Sequence, residues 1–336
     1  MDNPRFVQFG AVTTFPAPYL CQSAELFGFF FRADHDRLGE LCRKVFAEPT
    51  GGQVDYRPLG GHVLVTFGRI QRISPQTPPF DGWGTLAEDQ VVIWVPVVAV
   101  DDRGALLHAR RFALFVPYIW LDEPLSIATG REAGGWPKSW GWPVFSAPGA
   151  PLDLKLDVHG WNFAPDHHPR RRRLLRITGG AGANGHDRPP YESLGDLFAE
   201  LWATIGDDDG FLVPDLGLGV DVLKDALARE LPQLFFKQIR AADDPDAAAL
   251  QQVVASEARV LRLSGRPLLG EHHLQVWYVD SCPVRRELGL VDQTAGLGFR
   301  LEMDFVQKPG RVLWDAADRE VVIPDPVGQA AGRSEL

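Results

Sequence analysis

Apolar and polar positions alternate along much of the chain, which is the pattern of half-buried β-strands. Residues 152–158 and 297–305 show it with a period of two, whereas residues 91–100 form a continuous apolar and β-branched run. Pro96 within that run favours an edge position or a bulge, because proline cannot donate a ladder hydrogen bond. The predicted strands lie at residues 25–33, 62–67, 91–100, 105–121, 152–158, 235–240, 251–263 and 297–305.

Helical spacing is confined to a few segments. Asp34 is typical of a helix N-cap, because the apolar residues that follow it fall on one stripe. Residues 193–205 have helical spacing as well, and a further helix is expected at 221–231, ending before Pro232. Residues 247–255 are compatible with either a helix or the start of a strand.

These elements predict a strand-rich α+β fold. We expect a single domain over residues 1–316, with a helical insertion at about 180–232. Residues 317–336 lack periodicity towards their end and are expected to form a flexible tail. No internal repeat is visible.

Composition excludes several classes of protein. Of the 336 residues, 45% are hydrophobic and 23% are charged, which is typical of a globular protein rather than a disordered or fibrous one. The 44 acidic and 34 basic residues give a net charge of −10, which repels nucleic acids and anionic membrane surfaces. No basic start leads into an apolar run, and no run of about 18 apolar residues occurs, so we expect neither a signal peptide nor a membrane span.

The cysteines and histidines give no sign of a metal or redox centre. Cys21, Cys42 and Cys282 form no C-x-x-C pair, and their small number favours a reducing, cytoplasmic location. The paired histidines at 167–168 and 272–273 are sequence neighbours, which on a strand point to opposite faces and rarely bind one ion. We therefore expect no metal and no cofactor.

Two other segments have an ordinary structural interpretation. Gly179–Gly185 lacks the Gly-Lys-Ser/Thr ending of a phosphate loop and is expected to be a flexible loop. Arg170–Arg173 could bind an anion, but a solvated strand edge is the preferred interpretation. The sequence contains no Gly-x-Ser-x-Gly elbow of a serine hydrolase.

Glycine, proline and tryptophan are densest at residues 118–143. Lys138 lies within this segment, between Trp136 and the pair Trp140 and Trp142, and is one of only six lysines in the chain. Indole rings that exclude water favour the neutral amine, which is the nucleophilic form of lysine. The alternative is a structural lysine that reaches solvent or lies over an indole ring.

Three short motifs around Lys138 resemble the active-site signature of the acetoacetate decarboxylase family. They are Gly130-Arg-Glu132, Gly135-Trp-Pro-Lys138 and Gly141-Trp-Pro143. Weaker similarity to the same family extends from about residue 12 to residue 316, with the region 180–232 as an addition. It is carried by Phe31–Asp34, Leu121–Pro124, Phe235–Lys237 and Phe305–Gly310.

The resemblance implies a cone-shaped or barrel-like, mostly antiparallel β core with flanking helices. It also implies that Lys138 condenses with a substrate ketone to form a Schiff base, and that the chain forms a homo-oligomer. A protonated imine accepts electrons from the neighbouring carbon, so loss of CO₂, retro-aldol cleavage and dehydration all become easier. The implied partner is a small oxo acid or ketone, with no nucleic acid and no membrane.

Two cations of the family are missing from this sequence. The decarboxylases place a second lysine directly after the first, where this chain has Ser139, and an arginine needed for activity where this chain has Ala24. Without the second lysine, desolvation by the neighbouring tryptophans must keep Lys138 neutral. Decarboxylation is therefore less expected here than in family members that keep both cations, and decarboxylation, aldol and dehydration chemistry all stay open.

The resemblance also assigns roles to residues away from Lys138. Glu88 matches the catalytic glutamate of the family as a proton shuttle, with Asp89 as an alternative for that role. A solvated loop carboxylate is the structural alternative for Glu88. Arg131 and Glu132 are expected to form an ion pair that fixes the turn, with substrate binding as the second interpretation.

The sequence thus predicts a lyase that forms a Schiff base with a small oxo acid or ketone. The alternative is an inactive member of the family that binds a small apolar or carbonyl-bearing ligand, and a third interpretation is a partner-binding scaffold based on residues 193–231. The predicted catalytic residues are Lys138 and Glu88, and the predicted substrate-binding residues are Arg131, Glu132, Trp136 and Trp140.

Overall fold

The structure, a computed structural model, describes residues 5–7, 9, 14–102, 107–179, 190–191, 193–197, 230–295 and 298–317. Long strands dominate these residues, and the helices between them are short. The strands are β1 (Tyr19–Arg32), β2 (Tyr56–Pro58), β3 (His62–Pro75), β4 (Leu86–Asp102), β5 (Leu107–Leu121), β6 (Lys138–Val144), β7 (Asp153–Gly160), β8 (Arg170–Gly179), β9 (Glu230–Arg240), β10 (Ala248–Leu268), β11 (His272–Val276), β12 (Gln293–Ala295), β13 (Gly298–Gln307) and β14 (Arg311–Asp315). The α-helices are α1 (His35–Cys42), α2 (Pro124–Thr129) and α3 (Val284–Leu288), and π-helical turns follow α1 at Arg43–Ala47 and α2 at Gly130–Gly134.

Seven strands close into a ring, in the order β1, β3, β4, β5, β9, β10 and β13. All neighbouring pairs are antiparallel except β5 and β9, which share a short parallel contact at Leu114–Gln233 and Phe115–Leu234. The strand-rich fold predicted from the residue patterns and the mostly antiparallel, barrel-like β core implied by the family resemblance are therefore both confirmed.

Large apolar side chains fill the interior of the ring. Phe30, Phe235 and Phe299 belong to this inner cluster, to which all seven strands contribute. The outer faces of the same strands form a second cluster, which includes Phe29. Successive side chains on a strand point to opposite faces, so β4 is buried on both sides. This explains why residues 91–100 are apolar throughout rather than alternating.

A second sheet covers part of the outside of the ring. β6 pairs with β5 in parallel and continues into the antiparallel strands β7, β8, β11 and β12. Leu154 and Leu175 of this sheet pack in the outer cluster, together with Leu38 of α1 and Val284 of α3. β6 is thus the strand that passes from the ring to the second sheet, and it begins at Lys138.

The differences from the predicted strands concern their ends and edges. β4 begins at Leu86, earlier than expected. Its register with β5 shifts between Ile93 and Val95, which confirms a bulge beside Pro96. The predicted edge position is wrong, because β4 has neighbours on both sides. On one side of β4, the pairing with β3 ends at Trp94 and the pairing with β2 begins at Val97. Pro96 lies between these two pairings, so its missing N–H group interrupts neither set of backbone hydrogen bonds. The ambiguous residues 247–255 belong to β10 from Ala248 onwards.

The helix predictions have mixed outcomes. Asp34 caps α1 by accepting two N–H groups of the first turn at 3.1 and 3.2 Å. Within the predicted helix 193–205, residues 194–197 are helical and the others after 197 lie outside the described residues. Of the predicted helix 221–231, only the last two residues are described. They begin β9, so the predicted end is wrong, because pairing with β10 outweighs local propensity.

The described residues contain no helix that is both long and apolar enough to span a membrane. Among the same residues, no group of three or more His, Cys, Asp and Glu side chains is placed to hold a metal ion. All three cysteines are buried and free. The glycine-rich segment beyond Gly179 and the tail from residue 318 lie outside the described part of the chain.

Candidate active site

A cavity of about 70 Å³ lies inside one end of the ring. Its walls are mainly apolar side chains from β1, β3, β4 and β13, among them Tyr19, Ile70, Ile73, Leu86 and Phe305. Polar side chains enter from β4, from α2, from the start of β6 and, with Gln307, from the end of β13. An apolar space with a few convergent polar groups is the usual form of a small-molecule site.

Lys138 and Glu88 meet in this cavity. Lys138 Nζ lies 3.4 Å from Glu88 Oε2 and donates to Ser126 Oγ at 2.8 Å. The Ser126 hydroxyl in turn donates to the same Glu88 oxygen. The side chains of Lys138 and Glu88 are only 11% and 3% exposed, so both charged groups are largely removed from water. A buried charge pair needs such additional hydrogen bonds, and the connected groups form a path along which a proton can move.

The alternation of β4 decides which carboxylate enters the cavity. Leu86, Glu88 and Gln90 line it, whereas Asp89 lies on the opposite face and accepts from Arg69 at 3.0 and 3.2 Å. Glu88 is therefore on a strand and buried, not in a solvated loop. Of the two carboxylates considered from the sequence, only Glu88 is brought to Lys138.

Helix α2 supplies the hydroxyl groups of the site. The Glu123 side chain caps this helix by accepting the Leu125 N–H at 3.0 Å, and Pro124 occupies its first position. Ser126 and Thr129 are three residues apart, so both lie on the helix face that lines the cavity. Thr129 Oγ1 is buried and makes no hydrogen bond with any residue that the structure describes.

Close contacts with lysine side chains explain two glycines of the signature. A Cβ atom on Gly130 would lie 2.5 Å from Lys138 Cδ, much closer than the ordinary carbon–carbon contact of about 3.5–4.0 Å. Gly135 has a φ of 79°, in the left-handed region that favours glycine, and its Cβ would lie 2.9 Å from Lys237 Cβ. Gly130 therefore leaves room for the Lys138 side chain, whereas Gly135 leaves room for Lys237 and turns the backbone towards β6.

Trp136, Arg131 and Glu132 occupy different places. Trp136 lines the cavity, and its ring centroid is 5.9 Å from Lys138 Nζ. The expected ion pair between Arg131 and Glu132 is absent from the structure, because the Arg131 guanidinium donates to the Lys138 carbonyl oxygen at 3.0 Å. Arg131 thus fixes the turn through the backbone of β6. Its side chain and that of Glu132 are exposed and do not line the cavity.

Trp140 lies outside the cavity. Its side chain is 49% exposed and packs on Trp142, with 4.9 Å between ring centroids. β6 pairs with β5 up to Trp140 and with β7 from Gly141 onwards, so the strand leaves the cavity after Lys138. The expected desolvation of Lys138 by three tryptophans therefore holds for Trp136 alone, and the apolar walls of the ring exclude the remaining water.

The other titratable groups of the cavity are held neutral. Burial raises the pKa of the Cys21 thiol, and the nearby Glu88 carboxylate raises it further, while Lys138 opposes the rise. Burial also raises the pKa of the Tyr19 phenol. Lys138 and Glu88 are thus the only charged side chains among the described residues that line the cavity.

The polar groups that accompany Lys138 and Glu88 are not among the residues predicted from the sequence. Ser126 and Thr129 precede Gly130 at a helical spacing that places them on one face, which was a usable signal. Gln90 follows Glu88 with the period of a strand and could have been found by the same alternation.

Solved structures of other proteins share this architecture. An acetoacetate decarboxylase from Legionella pneumophila subsp. pneumophila str. Philadelphia 1 is 16% identical, with a TM-score of 0.59 over 94% of this chain and 93% of that one. The enduracididine biosynthesis enzyme MppR in complex with pyruvate is 17% identical, with a TM-score of 0.54 over 91% of this chain and 93% of that one. An acetoacetate decarboxylase-like enzyme from Sphingomonas wittichii RW1 is 12% identical, with a TM-score of 0.52 over 90% of this chain and 94% of that one. No protein-family model and no curated protein sequence matches the chain.

The chain has the acetoacetate decarboxylase fold. Within this fold, the two positions that lack the cations of the resembled family lie in different surroundings. Ser139 is exposed on β6. Ala24 is buried in an apolar cluster with Ile70 and Met303, next to the cavity wall. The ring end that holds Lys138 is therefore apolar where the resemblance places an arginine.

Proposed function

We propose that the protein is an acetoacetate decarboxylase-like lyase in which Lys138 forms a Schiff base with the carbonyl carbon of a small oxo acid or ketone. The observation that carries the proposal is the position of Lys138 Nζ, in an apolar cavity and within 3.4 Å of both Ser126 Oγ and Glu88 Oε2. A lysine in a site that excludes water is suited to covalent catalysis. A buried carboxylate beside it is suited to proton transfer.

The reaction begins with proton transfer within the site. Glu88 takes a proton from the Lys138 ammonium through the Ser126 hydroxyl, and the free amine attacks the carbonyl carbon. Glu88 then returns the proton to the hydroxyl of the carbinolamine, which leaves as water and gives the protonated imine. The imine accepts the electron pair of the C–C or C–H bond that breaks in the substrate. The other fragment leaves as CO₂, as a carbonyl compound or as a proton taken by Glu88, and an enamine remains on Lys138. The enamine takes a proton at carbon from Glu88 or water, or adds to an aldehyde carbonyl, which re-forms the protonated imine. Water then hydrolyses the imine, which releases the product and restores Lys138.

Aldol or dehydration chemistry is favoured over decarboxylation. Ser139 and Ala24 stand where the resembled decarboxylases have cations, and the cavity beside Ala24 is apolar. MppR, which has the same fold, has been solved with pyruvate and with the condensation product of pyruvate and imidazole 4-carboxaldehyde. A condensation product bound to a protein of this fold supports the same class of reaction here.

The second candidate function is a catalytically inactive member that binds a small apolar or carbonyl-bearing ligand. The ion pair of Lys138 with Glu88, and the Trp136 ring 5.9 Å from Lys138 Nζ, would also hold the lysine as a structural cation. In this case the cavity binds its ligand without a covalent bond.

Borohydride trapping separates the two functions. Wild type, Lys138→Ala and Lys44→Ala are incubated with 2-oxo acids, 3-oxo acids and uncharged ketones, reduced, and weighed as intact proteins. The Lys44 side chain is 66% exposed, so its replacement controls for unspecific labelling of surface lysines. A mass gain in wild type and Lys44→Ala that Lys138→Ala lacks supports the lyase. No adduct with any compound at several pH values supports the binding protein.

We also propose that the protein is a cytoplasmic homo-oligomer. The free, buried cysteines support a reducing compartment. Exposed aromatic rings on β6 and on the loops after β7 and β11 support a contact between copies, because such patches mark interfaces. They belong to Trp140, Trp161, Phe163, Trp277 and Tyr278. Light scattering after size-exclusion chromatography is expected to give a multiple of the mass of one chain for wild type. The Phe163→Gln variant is expected to contain a smaller fraction of oligomer. A monomeric wild type would contradict the proposal.

A further inference from the structure

Thr129 carries a hydroxyl group that the fold itself does not use. Its side chain is 3% exposed, lines the cavity, and makes no hydrogen bond with any described residue. Most buried polar side-chain atoms in proteins have a partner, because burial removes the hydrogen bonds to water. Ser126, one turn earlier on the same helix face, has both of its partners in Glu88 and Lys138. The free hydroxyl therefore points to a polar atom of a bound molecule.

The charges of the cavity are already balanced. Lys138 is the only cation among the described residues that line it, and it is paired with Glu88. A carboxylate on the substrate would place a second negative charge beside Glu88 in an apolar space without a further cation. Burial of such an unpaired charge is strongly unfavourable. An uncharged molecule suits the cavity better than an oxo acid.

The size of the cavity limits the molecule as well. A water molecule needs about 10–15 Å³ of such space. The cavity volume of about 70 Å³ therefore corresponds to about five to seven water-sized groups, which suits a small molecule. A hydroxyl group on the molecule can either donate to Thr129 Oγ1 or accept from it, and so forms one hydrogen bond with it in either orientation.

We infer that the substrate is a small uncharged hydroxy ketone or hydroxy aldehyde, whose hydroxyl group is held by Thr129 Oγ1 while its carbonyl carbon reacts with Lys138. This inference rests on the proposed Schiff-base function for the reacting carbon. Thr129 is then a substrate-binding residue that selects for the second oxygen atom, and the balanced Lys138–Glu88 pair selects against carboxylates.

Matched pairs of ketones test the inference. Hydroxyacetone and butanone have the same number of non-hydrogen atoms, as do 4-hydroxy-2-butanone and 2-pentanone, and each pair exchanges a hydroxyl for a methyl group. We expect wild type to trap the better hydroxy ketone roughly threefold to tenfold faster than its partner, the usual effect of one neutral hydrogen bond. Thr129→Val should lower this ratio to about one, and Thr129→Ser should keep it above one. Pyruvate and acetoacetate should be trapped more slowly than hydroxyacetone.

Two results overturn the inference while leaving the Schiff base intact. One is a rate ratio that stays at the wild-type value in Thr129→Val, which would give Thr129 a structural role only. The other is faster trapping of pyruvate or acetoacetate than of every uncharged ketone. If no compound is trapped, the proposed function fails, and saturation-transfer NMR of the same pairs with unreduced protein tests Thr129 by itself. Binding of the hydroxy ketones no tighter than of their partners would then overturn its role.

Discussion

Replacement of Gly130 by alanine tests whether the rate of imine formation depends on the position of the Lys138 side chain and not only on its presence. The added methyl group would lie 2.5 Å from Lys138 Cδ and 2.7 Å from Cε. Carbon atoms in van der Waals contact are about 3.5–4.0 Å apart, so the lysine stem must move by about 1 Å. Lys138 Nζ would then leave its 2.8 Å contact with Ser126 Oγ.

This displacement acts on reactivity more than on stability. Gly130 has helical backbone angles, with φ −63° and ψ −40°. Alanine at a helical position is more stable than glycine by about 0.5–1 kcal/mol, which offsets part of the steric strain. An error of about 1 Å in the position of a reacting group can lower a rate about 100-fold. We therefore expect Gly130→Ala to remain folded and to form the imine about 100-fold more slowly.

The assay is the time course of borohydride trapping with the carbonyl compound that labels wild type best, read by intact mass. Gly39→Ala in α1 is the matched control, because a Cβ atom there meets nothing within 4 Å. It should label at the wild-type rate. Labelling of folded Gly130→Ala at the wild-type rate would refute the reasoning that this glycine makes room for the lysine.

Two further substitutions test the contacts of buried carboxylates. Ser126→Ala removes the hydroxyl that donates to Glu88, so we expect the free energy of unfolding in urea to fall by about 1–3 kcal/mol and trapping to slow, with part of both recovered in Ser126→Thr; unchanged stability and rate would contradict the path through Ser126. Burial raises the pKa of Asp157 on β7, but hydrogen bonds from Arg173 and Arg171 outweigh burial and hold the pKa below its ordinary value. This carboxylate stabilises the fold above about pH 4, and its contribution is lost as the pH falls through the lowered pKa. Asp157→Asn should therefore lose less free energy of unfolding than wild type as the pH falls below about 4. If the free energy of unfolding falls equally steeply with decreasing pH in both proteins, the pairing of Asp157 with the two arginines is contradicted.

Local periodicity is enough to find most strands, because the order of apolar and polar residues within a strand shows which of its faces are buried. The alternation at 152–158 corresponds to β7, and the continuous run at 91–100 corresponds to a strand buried on both faces. Closure of the ring depends on the contact of β5 with β9, which lie far apart in the sequence. No local pattern contains that contact, so the ring could be expected only from the resemblance.

The surroundings of a site residue could be predicted where its neighbours in the sequence are also its neighbours in space. The density of glycine, proline and tryptophan indicated a special place for Lys138, and the structure puts Trp136 beside it. Trp140 could not be placed, because β6 changes its neighbour from β5 to β7 directly after it. The spacing of Ser126 and Thr129 indicates that they share a helix face, but α2 is only six residues long, too short for apolar periodicity to show that this face turns inward.

Lys138 is the residue that we expect to form the imine. The most direct test of this role is the location of the trapped adduct, by digestion of the borohydride-treated wild-type protein and fragmentation of every lysine-containing peptide. We expect the added mass on Lys138, whose side chain is 11% exposed, before it appears on Lys44, whose side chain is 66% exposed. Added mass on Lys44 and other exposed lysines, with Lys138 unmodified, would contradict it.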